Sequence, residues 1–381
     1  MRILYAAIDQ TVPGTVGGSV HVQGVAEALA ARGHEIHVLA SRGAGGVPSA
    51  HGVRWIWMRP PLGAQTLRWM RTPAVVRLAR EIRPDVVIER YYNFGGEGIA
   101  AGRAVNATTV LEVNAPVVDF PGSRKAMVDK ALVIEPMRRW RERLCAAADL
   151  IVAPAAEILP PATPPAKVVT LEWGADTNRF RPDAAERPAR ASGLVAAFAG
   201  AFRSWHGAIA LVHAVRALRS AGRRDIHAMF IGDGPELART REAARGVEGV
   251  TFLGAIPHQQ VPAVLARADV GVAPFDVAAH PPLSLGFYWS PLKIFEYMAT
   301  GLPVVAPAVD RIPSLVGHER EGILYNPRAA DGLTGALERL TDHALRTRLG
   351  LAARERAVRE YSWGAHAAAL ESAIRGARGM R

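Results

Sequence analysis

An α/β protein of two similar halves follows from three features of this chain. Short apolar runs alternate with amphipathic stretches, glycine-bearing turns separate them, and the same pattern restarts near residue 194. A length of 381 residues exceeds one typical core, so two domains are expected. Their expected bounds are 1–182 and 183–361, with a further helix in the C-terminal segment 362–381. Each is expected to be Rossmann-like, the two facing each other across a cleft.

Composition narrows the function classes. Hydrophobic residues make up 49% and charged residues 21%, which excludes a disordered chain. The net charge of +11 is dominated by arginine and suits anionic ligands: nucleotides, phosphorylated acceptors or a lipid surface. A high-GC genome would produce the same arginine bias. The single cysteine, Cys145, cannot form an intramolecular disulfide and reads as a buried helix residue. Asp9 interrupts the first apolar run too early for a signal peptide, and no run is long enough to span a bilayer. A cytoplasmic protein is expected, with or without membrane association.

In the first half, residues 2–8 read as a strand, Pro13 to Ser19 as a turn, Val22 to Arg32 as a helix ended by Gly33, and 35–39 as a second strand. The turn is not G-x-G-x-x-G, so a dinucleotide fingerprint is absent. Gly17 and Gly18 still allow close backbone approach to a phosphate or sugar. His21, near the start of that helix, is assigned to the surface, with a ligand-facing position as the alternative. A strand over 53–58 precedes a basic amphipathic helix, 66–83, expected to pack on the sheet with a solvated arginine face. The same pattern also suits an acidic membrane surface. Strands follow at 84–92, running into a loop, and at 108–116, with a helix between them introduced by Gly95-Gly96. Glu112 and Asn114 alternate with Leu111 and Val113 and so point to one face at the carboxyl end of their strand, where parallel sheets bind ligands. An open site satisfies such a pair more easily than a core does. An arginine-rich helix at 135–149, strands at 150–154 and 168–171, and a polar linker at 183–193 complete this half.

The second half opens with strand 194–199 and the loop Gly200 to Gly207, which sets Arg203 and His206 before a helix over 208–221, an anion site by charge and position. Strands follow at 227–231, 250–254 and 269–274, then a long loop, 275–290. Ser290-Pro291-Leu292-Lys293-Ile294-Phe295-Glu296 starts a helix that Gly301 ends, and 303–306 reads as a buried strand. Lys293 and Glu296 lie one turn apart on one side of that helix. The ammonium can neutralise phosphate and the carboxylate can accept from a ribose diol; a plain surface ion pair is the bland alternative.

With these residues in view, the chain resembles the retaining glycosyltransferases of family 4, which have the GT-B fold; the resemblance implies that the C-terminal helix, 362–381, completes the first domain. The resemblance rests on Gly17-Gly18, Trp173-Gly174-Ala175-Asp176 through Phe180, Gly200 to Gly207, Gly232-Asp233-Gly234-Pro235, Gly254-Ala255-Ile256-Pro257 and 290–305. It implies a nucleotide diphosphate sugar, UDP by family frequency, as co-substrate, with no metal, no other cofactor and no nucleic-acid partner. By resemblance Arg203 and Lys293 stabilise the leaving diphosphate and Glu296 holds the ribose. Ile256 contacts the base, and Gly18 approaches the diphosphate from the opposite domain as the halves close. Gly232, Ser290, Pro291 and Leu292 fall in matching donor-side motifs. Three departures stand out. Tyr288 occupies the place of an earlier glutamate, and His206 the place of a lysine, making its charge pH-dependent near neutrality. Asn114 occupies the place of a histidine, and is expected to take part in catalysis by bonding a sugar hydroxyl.

The acceptor is expected on the first half, with Tyr91, Glu112 and Asn114 as contacts. A lipid-linked or glycan acceptor and a small natural product both fit, as does peripheral membrane contact. Two other readings are a GT-B-fold sugar-nucleotide-binding protein that has lost activity and a sugar-nucleotide epimerase.

Overall fold

The structure is a computed structural model, and it describes residues 1–14, 16–48, 50–132, 135–186 and 193–379. Of the linker expected over 183–193, residues 187–192 lie outside the described residues. The chain divides into two compact units: Met1–Gly174 with Tyr288–Ser290 and Trp363–Arg381, and Ala175–Phe287 with Pro291–Ser362.

In the first unit the strands are β1 (Arg2–Val12), β2 (Glu35–Arg42), β3 (Val53–Trp57), β4 (Val86–Arg90), β5 (Thr108–Glu112), β6 (Leu150–Ala153) and β7 (Val168–Thr170). Among the described residues they form one parallel sheet in the order β3-β2-β1-β4-β5-β6-β7. Its helices are α1 (Gly17–Ala31), α2 (Thr72–Ile82), α3 (Glu97–Ala104), α4 (Arg124–Ala131) and α5 (Pro136–Ala147). β1 and β4 are fed by connections running in opposite directions, so a crevice opens beyond their carboxyl ends.

The second unit repeats the plan with β8 (Leu194–Ala199), β9 (Ile226–Ile231), β10 (Val250–Gly254), β11 (Val270–Val272), β12 (Val304–Pro307) and β13 (Gly322–Tyr325). These pair in parallel as β10-β9-β8-β11-β12-β13, with the switch between β8 and β11. The helices are α6 (Ala208–Ser220), α7 (Leu237–Ala243), α8 (Val261–Leu265), α9 (Leu292–Ala299), α10 (Ile312–Leu315), α11 (Gly332–Arg339) and α12 (His343–Glu360). The core is built by Leu194, Phe198, Phe202, Leu211, Val215 and Phe230, all buried. The last helix, α13 (Trp363–Gly379), belongs to the first unit, where the Trp363 ring fills the space a Cβ would need at Gly24 of α1.

Three local expectations change. The basic helix foreseen over 66–83 begins as a 3-10 turn, Gln65–Arg71, and only then becomes α2; within it Arg68 is fully buried rather than solvated. Helix α4 had no counterpart in the periodicity reading, because Arg124-Lys125-Ala126-Met127-Val128-Asp129-Lys130 has too few apolar residues to mark a buried face. His21 is buried on α1, not on the surface.

Candidate active site

The second unit gathers its basic groups at the β8–β11 switch. Gly200 ends β8 with φ +134°, and the loop it starts rests on the backbone after β11: a Cβ at Gly207 would overlap the Pro274 carbonyl. Gly232, at the end of β9 with φ +124°, packs against Gly200 in the same way. Side chains are excluded there so that two strand ends can touch.

α9 is pinned beneath this loop. Tyr297 is fully buried against Gly271 of β11, and its hydroxyl accepts from the Ala199 amide at 2.7 Å. Gly301, with φ +75°, ends the helix, and the Leu302 amide donates to the Tyr297 carbonyl at 3.0 Å. One turn before Tyr297, Lys293 is only 8% exposed. Its Nζ lies 4.2 Å from the centre of the Phe198 ring and 5.3 Å from that of Phe275, against Gly200, and has no hydrogen-bond partner among the described residues. Burial lowers its pKa to about 7, with Glu296 opposing the shift. The surface ion pair is therefore not formed; Glu296 Oε1 instead meets His258 Nε2 at 3.2 Å.

Arg203 is exposed on the loop with its guanidinium 5.8 Å from the Trp205 ring, which stacks on His280 at 4.0 Å. His206 gives its Nδ1 to the Ala201 carbonyl. Burial, then Lys293, pushes the His206 pKa down to about 3, so it is neutral at physiological pH rather than poised near neutrality. Pro291 and Leu292 form the start of α9, and half-buried Ile256 lies in the turn after β10.

The first unit concentrates ionisable groups at its own β1–β4 switch. Asp9, on β1, accepts from Arg68 Nη1 at 3.0 Å and Arg90 Nε at 3.1 Å. Arg68 also binds Glu97, and Glu89 accepts from the Gly96 and Ile99 amides at the start of α3. Burial and the neighbouring Glu97 raise the Glu89 pKa, so this carboxyl retains a proton well above the usual carboxylate range. Glu112 is the second hub. It accepts from the Tyr5 hydroxyl, from Asn114 Nδ2 and from Arg90 Nη1 at 3.2 Å, with His21 Nε2 at 2.6 Å. Burial opposes its ionisation, but His21, Arg90 and Tyr5 together hold it well below the usual range.

Asn114 is thus held from two sides, since its Oδ1 also accepts from Trp173 Nε1 at 2.7 Å. The Trp173 ring lies 4.4 Å from His21, which also packs edge-on to Trp363 and His366. Trp173→Phe should lose the donor to Asn114 and part of the ring area against His21; a cost of about 1–3 kcal/mol in chemical denaturation is expected.

The structure brings together Lys293, Arg203, His206, Gly200 and Gly232 in the second unit, and Glu112 and Asn114 in the first. Tyr288 and Ser290 group with the first unit, where Ser290 Oγ accepts from the Trp173 amide at 3.0 Å and donates to Glu172 Oε2 at 2.7 Å. Gly17 and Gly18 open α1, where a Cβ at Gly18 would overlap Gln10. Tyr91 is buried, its hydroxyl donating to Asn93 at 2.8 Å, and the carboxylate of Glu112 is engaged by internal partners. The sequence alone marks no role for Asp9, Arg68 and Arg90, although Glu89-Arg90 behind Val86-Val87-Ile88 also sets polar residues at the carboxyl end of a buried strand, one on each face.

Two Rossmann-like parallel α/β units, the second with a basic cluster at its switch point, define the GT-B class. Residues 16–179 match the family model "Glycosyltransferase Family 4" and residues 193–343 match "Glycosyl transferases group 1". The chain belongs to this family of glycosyltransferases. It is 32% identical over 234 residues to a GDP-mannose-dependent alpha-(1-6)-phosphatidylinositol monomannoside mannosyltransferase of Mycobacterium tuberculosis, covering 56% of this chain and 57% of that relative. The chain thus spans little more than half the length of such relatives. Among solved structures, sucrose-phosphate synthase from Thermosynechococcus elongatus shares the fold with a TM-score of 0.73 at 20% identity, over 100% of both chains. Anabaena HepE in complex with UDP does so with a TM-score of 0.68 at 16% identity, over 99% of this chain and 100% of that one.

Proposed function

We propose that the chain moves a hexosyl group from a nucleotide diphosphate sugar to an acceptor hydroxyl, with retention at the anomeric carbon and no resident metal. The observation that carries this reading is Lys293: a buried ammonium with no hydrogen-bond partner among the described residues, at the switch point of a parallel sheet. Desolvating a charge without a partner is costly, and an anionic ligand is what would offset it.

On this reading the sugar–oxygen bond breaks as the diphosphate takes up negative charge, and Lys293, Arg203 and the first amides of α6 stabilise that charge. No protein nucleophile is required: the acceptor hydroxyl attacks from the face the diphosphate leaves, its oxygen bonds the anomeric carbon as the bond to the phosphate oxygen breaks, and its proton passes to that departing oxygen. Glu296 accepts from the ribose hydroxyls, with His258 holding its other side. Asn114, fixed by Glu112 and Trp173, offers its amide to a sugar hydroxyl.

The mannosyltransferase relative is named for GDP-mannose and the HepE complex holds UDP, so the diphosphate is the shared chemistry. Thermal-shift measurements with UDP, GDP and ADP test the reading and select the base. A nucleotide at a hundredfold excess over its Kd should stabilise the fold by about 2.7 kcal/mol. No shift with any of the three would overturn the reading.

A further inference from the structure

We propose that the groove between α2, α3 and α5 docks the first unit onto an anionic phospholipid surface. An acyl chain enters the groove while arginines on its rim hold the headgroup phosphate.

The groove is an open cavity of about 910 Å³ within the first unit. It is lined along α3 and the turn before it by Gly95, Gly96 and Ala100, which carry little or no side chain. The walls are apolar and aromatic: Trp69 and Met70 from the turn before α2, Trp140 and Leu144 from α5. Trp69 and Met70 remain 46% and 49% exposed, large apolar side chains of the kind a soluble surface seldom leaves grouped.

The rim is cationic. Arg139 and Arg143 lie one turn apart on the groove face of α5, both exposed, and neither pairs with a carboxylate among the described residues. The adjacent α4 is tied to the start of α5 by Asp129, which accepts from the Met137 and Arg138 amides at 2.7 and 2.8 Å. That helix adds exposed Met127 and Val128 beside Lys130.

An apolar trough with a positive edge complements an anionic amphiphile. A free phosphate would leave the trough uncovered. A second copy of the chain would bring the same arginines and a net charge of +11 against it, which disfavours self-association. Among the described residues no helix is long and apolar enough to cross a membrane, so the contact is an interfacial one.

The test uses the full chain and flotation with vesicles, once of phosphatidylcholine alone and once containing phosphatidylglycerol. Binding to the second and not the first is expected. Arg139→Glu with Arg143→Glu, and separately Trp69→Ser with Met70→Ser, alter exposed positions and should each lower the partition coefficient by about tenfold or more. Lipids brominated on the acyl chain should quench tryptophan fluorescence, and Trp69→Phe with Trp140→Phe should remove most of that quenching. Absence of binding to anionic vesicles overturns the proposal, as does undiminished binding by both variant pairs, which would report net charge alone. Binding without acyl-chain quenching, binding of dodecyl phosphate but not of vesicles, and dimerisation through this face without vesicle binding also overturn it. None of these readouts depends on glycosyl transfer.

Discussion

Lys293→Met should make the protein more stable and nearly inactive at once. The wild-type ammonium sits between Phe198 and Phe275 with no hydrogen-bond partner, and burial lowers its pKa from 10.5 to about 7. A thioether of similar length fits such a pocket without desolvating a charge, so a gain of the order of a few kcal/mol at neutral pH is expected. The sign with pH is specific. The native state gives up this proton before the unfolded chain does, so wild-type stability rises as pH climbs from about 7 toward 10.5 and gains nothing from this group below 7. The variant should lose that slope in denaturant titrations. Its turnover of nucleotide sugar should fall by about 100- to 1,000-fold, the usual consequence of removing one group that meets developing charge. Wild-type nucleotide affinity should weaken above pH 7 as the free ammonium deprotonates, a trend absent from the variant. A variant with normal turnover, or one no more stable than wild type, would contradict the site assignment.

Arg68→Ala should be the most damaging single change in the first unit. The guanidinium is fully buried and faces three carboxyl groups, Asp9, Glu89 and Glu97. Its removal leaves the ionised carboxylates among them buried without this counter-charge, and a loss of about 3–5 kcal/mol is expected. Glu97→Gln on the same background should recover part of it, which distinguishes charge from lost volume. The check is chemical denaturation of the single and double variants. A loss below about 1 kcal/mol would mean that the carboxyls simply take up protons, and the network would then contribute little.

Much of the fold could be read from residues alone. Ile3 to Ile8, Val86 to Ile88 and Leu194 to Ala199 are continuous apolar runs, and such runs flanked by glycine turns mark buried parallel strands whatever their surroundings. The loop Gly200 to Gly207 and the start of α9 were likewise visible, because helix starts carry local signals. What escaped was set by distant partners. Arg68 looks like any arginine on a basic helix until Asp9 and Glu97 arrive from two other elements. His21 is polar and near a helix start, yet Glu112, Trp173, Trp363 and His366 enclose it. The neutrality of His206 likewise comes from burial and from Lys293, far away in the chain.

The return of α13 to the first unit has a consequence for how the chain is made. Trp363 and His366 reach α1 and His21 across more than 330 residues of sequence, so α1 leaves the ribosome long before the residues that cover this face of it. At about 5–20 residues per second, the second unit has time to be synthesised and to fold in that interval. A nascent chain halted before residue 363 should keep the surface around Gly24 open to chaperones.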